Sequence, residues 1–427
     1  MHGPEALRAA SSSMLNRVPV QAKSMDRYLP MLEAGLREEI VRLARGLRGL
    51  RILQINATAY GGGVAELLLS LVGLEQGLGL DVEWRTLGGD EAFFAVTKQL
   101  HNALQGQPAP LTEAQRAAYL RENRQEAGSL DRYDVIIVHD PQPAALRHYA
   151  GAGRVRWIWR CHIDTSAPDE TAWEFLRPFI EVYDAAVFTM AQFVPPDLTM
   201  PRMAFIPPAI DPFSSKNREL PPELARTTVA EFGVDVGRPV LLQVARFDPW
   251  KDPQGAIDTY RLVKREVPEV QLVLVGSMAG DDPQAWEVFR TIVQHDRADQ
   301  DLYVFTNLVG VGSLEVNCFQ RTASVVLQKS LREGFGLAVS EALWKGVPVV
   351  AGATGGIPLQ LQDGVGGFLI TTVEQAAQRI VYLLRHPEEA AQIAAAGRRV
   401  VEEHFLMPRL LRDELRLIHS LLEGADA

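Results

Sequence analysis

Ten short apolar runs alternate with helical patterns along this chain, and they fall into two groups. The first group is RILQINA (51–57), DVIIVHD (134–140), RWIWRC (156–161), DAAVFT (184–189) and MAFIP (203–207). The second is PVLLQVAR (239–246), VQLVLVG (270–276), LYVFT (302–306), SVVLQ (324–328) and PVVAG (348–352). Strands that are apolar nearly throughout are buried on both faces, which calls for a parallel sheet covered by helices. VAELLLSLVGLEQGLG (64–79), 253–266 and 313–321 have the periodicity of those covering helices. Between the groups lies IPPAIDPFSSKNRELPPE (206–223), rich in proline and polar residues and without periodicity, which reads as an interdomain linker. A chain of 427 residues is too long for one ordinary core. Two consecutive α/β units of similar size predict two Rossmann-like domains facing a cleft. The expected division is an N-terminal extension over 1–45, broken at Pro19 and Pro30, then domains over 46–212 and 213–400. Residues 388–423 read as helices only, and the final helix, 401–427, is expected to pack back on the first domain.

Charge and composition exclude several classes of partner. The content is 47% hydrophobic and 22% charged, as in an ordinary globular protein, and the net charge is −10. Nucleic acid and anionic membrane both call for a basic face, so neither is an expected partner. An anionic ligand would have to be held by a few local cations and backbone donors. Cys161 and Cys318 have no metal-ligand spacing around them and read as buried thiols. The N-terminal stretch MHGPEALRAASSSMLNR has no apolar segment of signal-peptide length, and no run approaches the roughly 18 apolar residues of a membrane span. A cytoplasmic protein is the expectation.

Three stretches carry the chemistry. Tyr60-Gly-Gly-Gly-Val-Ala-Glu66 follows the first strand. Glycines at a strand-to-helix turn let a ligand approach the backbone and expose helix N-terminal N–H groups, although a tight turn alone would also use them. The dinucleotide pattern G-x-G-x-x-G is broken at Glu66, which argues against a nicotinamide cofactor. Val244-Ala-Arg-Phe-Asp-Pro-Trp-Lys-Asp252 places Arg246 and Lys251 at a strand's C-terminal end. Read alone, the pair fits a diphosphate clamp and two solvated surface cations equally well. The third stretch is LREGFGLAVSEALWKG (331–346), with Glu333 before a glycine turn and a helix starting near Leu337. Free N–H groups around Phe335–Leu337 can hold phosphate oxygens. Glu341 lies about 6 Å into that helix and reads either as an exposed helix glutamate or as a second ligand contact.

With G-F-G inside it and K-G-x-P-V-V behind it, the E-x7-E spacing of Glu333 and Glu341 resembles the signature of family-4-type retaining glycosyltransferases, enzymes of GT-B architecture. Arg246/Lys251, the glycine loop at 61–63 and the GG…DG…G-F-L run (355–369) are similar to other landmarks of that family in order and spacing. The likeness spans residues 50–420. NATAYGGGVAELL, FFAVTKQLHNALQG, VIIVHDPQPAAL, WRCHID, IPPAID and QVARFDPWK further resemble, block by block, the trehalose-forming glycosyltransferring synthases. Two departures stand out: Pro208-Ala-Ile-Asp211, where the wider family usually has Asn-Gly-Val-Asp, and Leu359, where many relatives place a glutamate.

The resemblance implies an α/β protein of GT-B architecture that forms trehalose from NDP-glucose and glucose, reversibly or not. It implies His162, Arg246, Lys251 and Glu333 at the reaction centre. Gly334, Phe335, Gly336, Leu337 and Glu341 would bind the nucleotide sugar, with Glu341 on the ribose and Glu333 on donor-sugar hydroxyls. For the acceptor glucose it implies Gly62, Gly63, Val64, Asp140 and Gln142, while a helix-capping role for Asp140 stays open. Front-face transfer is implied rather than a covalent intermediate. No clustered Asp-x-Asp in the sequence is suited to a catalytic metal, so no cofactor is obligatory and Mg2+ on the nucleotide is compatible. The donor is ADP-, UDP- or GDP-glucose, the sequence not specifying the base, and the family suggests a homodimer. Retaining trehalose phosphorolysis and a non-catalytic sugar-sensing module are the competing readings.

Overall fold

The computed structural model describes residues 15–151, 153–278, 283–295 and 299–423, so the 1–14 part of the extension, 279–282 and 424–427 lie outside the described residues. It contains two seven-stranded sheets. The first has the order β1-β3-β2-β4-β5-β6-β7, with β1 Asn16–Val18, β2 Arg51–Asn56, β3 Asp81–Thr86, β4 Val135–His139, β5 Arg156–Arg160, β6 Ala185–Phe188 and β7 Met203–Phe205. The second has the order β10-β9-β8-β11-β12-β14-β13. Its strands are β8 Val240–Val244, β9 Gln271–Gly276, β10 Leu302–Thr306, β11 Val325–Gln328, β12 Val349–Gly352, β13 Gln362–Asp363 and β14 Gly366–Ile370. All neighbouring strands run parallel except β1, which pairs antiparallel with β3.

The apolar runs are the central strands because helices cover both of their faces. Every residue of β4 and of β9 is buried. Trp84, Trp157 and Trp159 fill the first domain, where each buried ring removes on the order of 150–250 Å² from water. Cys161 and Cys318 are buried and free.

Strand order decides where a ligand can sit. In each sheet the chain builds outward in one direction, then returns and builds in the other. The reversal falls between β2 and β4 in the first sheet and between β8 and β11 in the second. Helices on the two sides of such a switch point diverge, leaving a crevice beyond the carboxyl ends of the strands. The segments emerging there are 57–63 and 140–142 in the first domain, and 245–252 and 329–336 in the second.

Two parts of the chain depart from the reading above. From Asn16 onward the N-terminal extension is no separate piece, since it adds an edge strand and the Ala34–Gly46 helix to the first domain. That helix packs against the Met407–Glu423 helix, which also lies on the Gly63–Gly77 helix. The linker is likewise pinned. Ile210 N–H donates to Phe405 O at 2.9 Å, and Met407 N–H donates to Ile210 O at 3.0 Å, so both crossings between domains lie side by side. The Asp211 carboxylate accepts from Tyr28 Oη (2.7 Å), Lys23 Nζ (2.7 Å), Ser70 Oγ (2.9 Å) and its neighbour Phe213 N (2.9 Å). Burial opposes its ionisation, but Lys23 and these donors outweigh burial and hold it below the usual carboxylate value.

Candidate active site

Both switch points open into one cleft of about 660 Å³. The Gly63–Gly77 and Leu337–Trp344 helices start on its opposite walls, one from each domain. They nearly touch: a Cβ added at Gly63 would lie 2.9 Å from Leu337 Cδ1. Two helix N-termini, each carrying roughly half a positive charge, therefore converge on the same space. A second close approach fixes the wall beside them. A Cβ at Gly334 would overlap the His162 carbonyl, so only glycine lets the second domain's turn meet the end of β5.

On the second-domain side, Gly336 stands at φ 85°, a left-handed conformation that reverses the chain into its helix. Just upstream, Glu333 accepts from Lys251 Nζ at 2.7 Å and from Ser330 Oγ at 3.1 Å. Lys251 reaches it from a 3-10 turn, Pro249–Lys251, whose N-cap Asp248 accepts from Trp250 N at 2.9 Å. Arg246 is the most exposed cation of the cleft, with 44% of its side chain open and a 3.3 Å contact to Asp248.

Glu341 is buried, not an exposed helix residue. It accepts from Gln320 Nε2 at 3.1 Å and faces Lys216 Nζ at 3.7 Å. Lys216 comes from the linker and donates to both oxygens of Glu66, at 2.6 and 2.7 Å. Burial disfavours its charge, but Glu341 and Glu66 outweigh burial and raise its pKa. An ionic bridge of linker lysine and two glutamates thus joins the first domain to the second at the cleft.

First-domain contributions are chiefly neutral. Asp140 has φ 65° and its Oδ1 accepts from His162 N at 2.8 Å, so it orients the His162 backbone instead of capping the next helix. Burial pushes its carboxyl up to about 7. His162 and His139 stack at 5.2 Å with nitrogens 2.8 Å apart. Burial, with Arg160 nearby, holds both well below the ordinary histidine value. Gln142, Gly62, Gly63 and Val64 line the same wall. A model of the "Trehalose synthase, N-terminal domain" matches residues 54–195, and one of "Glycosyl transferases group 1" matches 226–400. A trehalose synthase of Rubrobacter xylanophilus is 52% identical over 96% of this chain and 100% of its own.

The chain belongs to the trehalose synthase family.

It is a glycosyltransferase of GT-B architecture. A trehalose synthase of Thermococcus litoralis is 43% identical over 94% of this chain and 98% of its own. A trehalose phosphorylase of Pleurotus pulmonarius is more distant, 30% identical over 86% of this chain and only 58% of its own length. Among solved structures, a sucrose-phosphate synthase from Thermosynechococcus elongatus superposes with a TM-score of 0.66 at 17% identity, covering 88% of this chain and 100% of that one. At that identity the likeness concerns the fold alone.

All fourteen residues singled out in the sequence line this family member's cleft: His162, Arg246, Lys251, Glu333, Gly334, Phe335, Gly336, Leu337, Glu341, Gly62, Gly63, Val64, Asp140 and Gln142. The sequence reading missed Lys216, Glu66 and His101, which line it too. His101 sits in the last turn of the Glu91–Leu104 helix, with Nδ1 buried and unpartnered among the described residues. Burial, with Arg246 and Lys251 nearby, lowers its pKa to about 3. Its stretch, FFAVTKQLHNALQG, was visible as a motif, but nothing in the motif says which face of the helix meets the cleft. Of the two departures, Pro208 lines the cleft, whereas Leu359 does not line it and is exposed. No helix of the described residues is long and apolar enough to cross a membrane.

Proposed function

We propose that the chain transfers the glucosyl group of an NDP-glucose to free glucose with retention, forming α,α-trehalose. One observation carries the donor assignment: Glu341, a buried carboxylate on the wall of a cleft that also holds Arg246, Lys251 and two helix starts. A diphosphate fits the cations and helix starts, and a ribose places hydroxyls within reach of Glu341. A phosphorylase would use the cations but has no ribose for Glu341. The dinucleotide-free glycine loop and the trehalose synthase likeness over the full chain point the same way.

In this reading Lys251, Arg246 and the Gly336 and Leu337 N–H groups stabilise charge that grows on the diphosphate as the C1–O bond breaks. A helix N-terminus adds up to ~2 kcal/mol in a partly buried site, so the cations carry the larger share. Glu333 and His162 hold the donor glucose, and Asp140, Gln142 and the 62–64 turn hold the acceptor. Glu333 is engaged by Lys251 and Ser330, which suits a group that binds hydroxyls better than a nucleophile for a covalent intermediate. On the front face the acceptor oxygen forms its bond to C1, and its proton passes to the departing phosphate oxygen. Homodimer assembly and a cytoplasmic site belong to the same proposal.

Incubation with ADP-, UDP- and GDP-glucose plus glucose, with products resolved by linkage, tests it. Trehalose and the matching NDP are expected, and a chelator arm tells whether Mg2+ rides on the nucleotide. Trehalose turnover to glucose 1-phosphate with inorganic phosphate, and with no NDP, would replace it by phosphorolysis.

A further inference from the structure

A buried polar chain runs from the cleft to the C-terminal helix. His162 Nε2 lies 2.8 Å from His139 Nδ1, and His139 Nε2 lies 2.8 Å from Gln54 Oε1. Gln54 Nε2 donates to Glu414 Oε1 at 2.7 Å, and Glu414 Oε2 receives Arg160 Nη1 at 3.0 Å. Gln54, His139, Arg160 and Glu414 are all nearly inaccessible to solvent. Neither Gln54 nor Glu414 lines the cleft.

The order of donors along this chain is forced. Glu414, ion-paired with Arg160, accepts, so the Gln54 amide turns its N–H2 toward Glu414 and its carbonyl toward His139. A carbonyl only accepts, so the hydrogen of His139 sits on Nε2. A neutral His139 then presents a lone pair at Nδ1, and the hydrogen between the two rings belongs to His162 Nε2. Burial keeps both rings neutral, as the chain requires. His162 Nδ1 has no partner among the described residues, and the residue lines the cleft.

We propose that Glu414, Gln54 and His139 are positioning residues that lock His162 in its Nε2–H tautomer, so that His162 meets a sugar hydroxyl as a hydrogen-bond acceptor through Nδ1. This rests on the assignment of His162 to the sugar site. Glu75 supports the polarity. It is fully buried, and burial and the adjacent Glu414 raise its pKa well above the usual value, against the opposing pull of the Gln54 amide. A neutral Glu75 can add one more donor to Glu414, strengthening Glu414 as the acceptor at which the chain ends.

The test combines imidazole nitrogen NMR on histidine-labelled protein with kinetics of Gln54→Met, an apolar change of similar size at a residue that does not line the cleft. Wild-type His162 is expected to carry its hydrogen on Nε2. In Gln54→Met that preference is lost, kcat for trehalose formation falls roughly tenfold, the scale of one mis-set hydrogen bond, and the KM for NDP-glucose stays within about twofold. A wild-type hydrogen on Nδ1, or an unchanged tautomer and kcat in Gln54→Met, overturns the proposal. Should Gln54→Met fail to fold, the wild-type spectrum still decides the tautomer. A correct tautomer in a protein that turns over no NDP-glucose would instead strike the function proposed above.

Discussion

The two walls of the cleft come from domains of like topology, yet they solve opposite electrostatic problems. On the second-domain wall, Arg246, Lys251 and Glu333 are ionic groups at strand ends, tied to counter-charges at 2.7–3.3 Å. On the first-domain wall no lining residue is Arg or Lys, and apart from Glu66, which pairs with Lys216, the titratable groups His101, His139, His162 and Asp140 are pushed toward neutrality by burial. A wall facing a diphosphate gains from fixed cations. A wall facing sugar hydroxyls gains from neutral, directional partners that do not draw the anion away from the leaving side. Equivalent positions on one fold thus acquire different chemistry through burial and neighbours, not through topology.

The comparison can be broken at its strongest point first. Lys251→Ala removes a cation from the charged wall and is expected to lower kcat by ~10²–10³, as for loss of one transition-state donor. A loss confined to the KM for NDP-glucose would show that the wall binds but does not stabilise the departing charge. Glu341→Gln keeps the shape but weakens the acceptor for ribose. Its expected signature is a KM for NDP-glucose raised about tenfold with kcat little changed, measured by initial rates.

The smallest effect is on stability and probes the neutral wall. Asp140 has a folded pKa of about 7 against an unfolded 3.8, so folding favours its protonated form. Its contribution is fully present below pH 3.8 and is lost as the pH rises to 7. Asp140→Asn tolerates the left-handed backbone and does not titrate. The Tm of the variant relative to wild type should therefore climb by several degrees between pH 4 and 7 and level off above. A gap independent of pH would place a solvated carboxylate at 140 and remove one support of the contrast.

Much of this was readable from the chain, for a definite reason. Strands such as DVIIVHD are buried on both faces, and their composition says so without context. β3 escaped because it reads Asp-Val-Glu-Trp-Arg-Thr, alternating, with one face turned from the core. β1 and β13, of three and two residues, are too short to carry a period. At the site, Arg246, Lys251 and Glu333 stood in motifs at strand ends, where ligands gather. Lys216 was hidden by the reading of its segment as a loose linker. Gln54 and Glu414 were out of reach, because 360 positions separate them and only the docking of the last helix joins them.

Asp211 bears on how far this protein can be divided. The matched segments, 54–195 and 226–400, suggest two modules that could be excised or exchanged. Yet the carboxylate that ties the crossing is gripped by Lys23 and Tyr28, which precede the first segment, and the neighbouring Ile210 is bonded to Phe405 and Met407, which follow the second. Both chain ends are fastened at the junction, so a fragment trimmed to the two matched segments would lose the knot that holds them together. The two parts are therefore fastened by segments outside both of them, however modular they look.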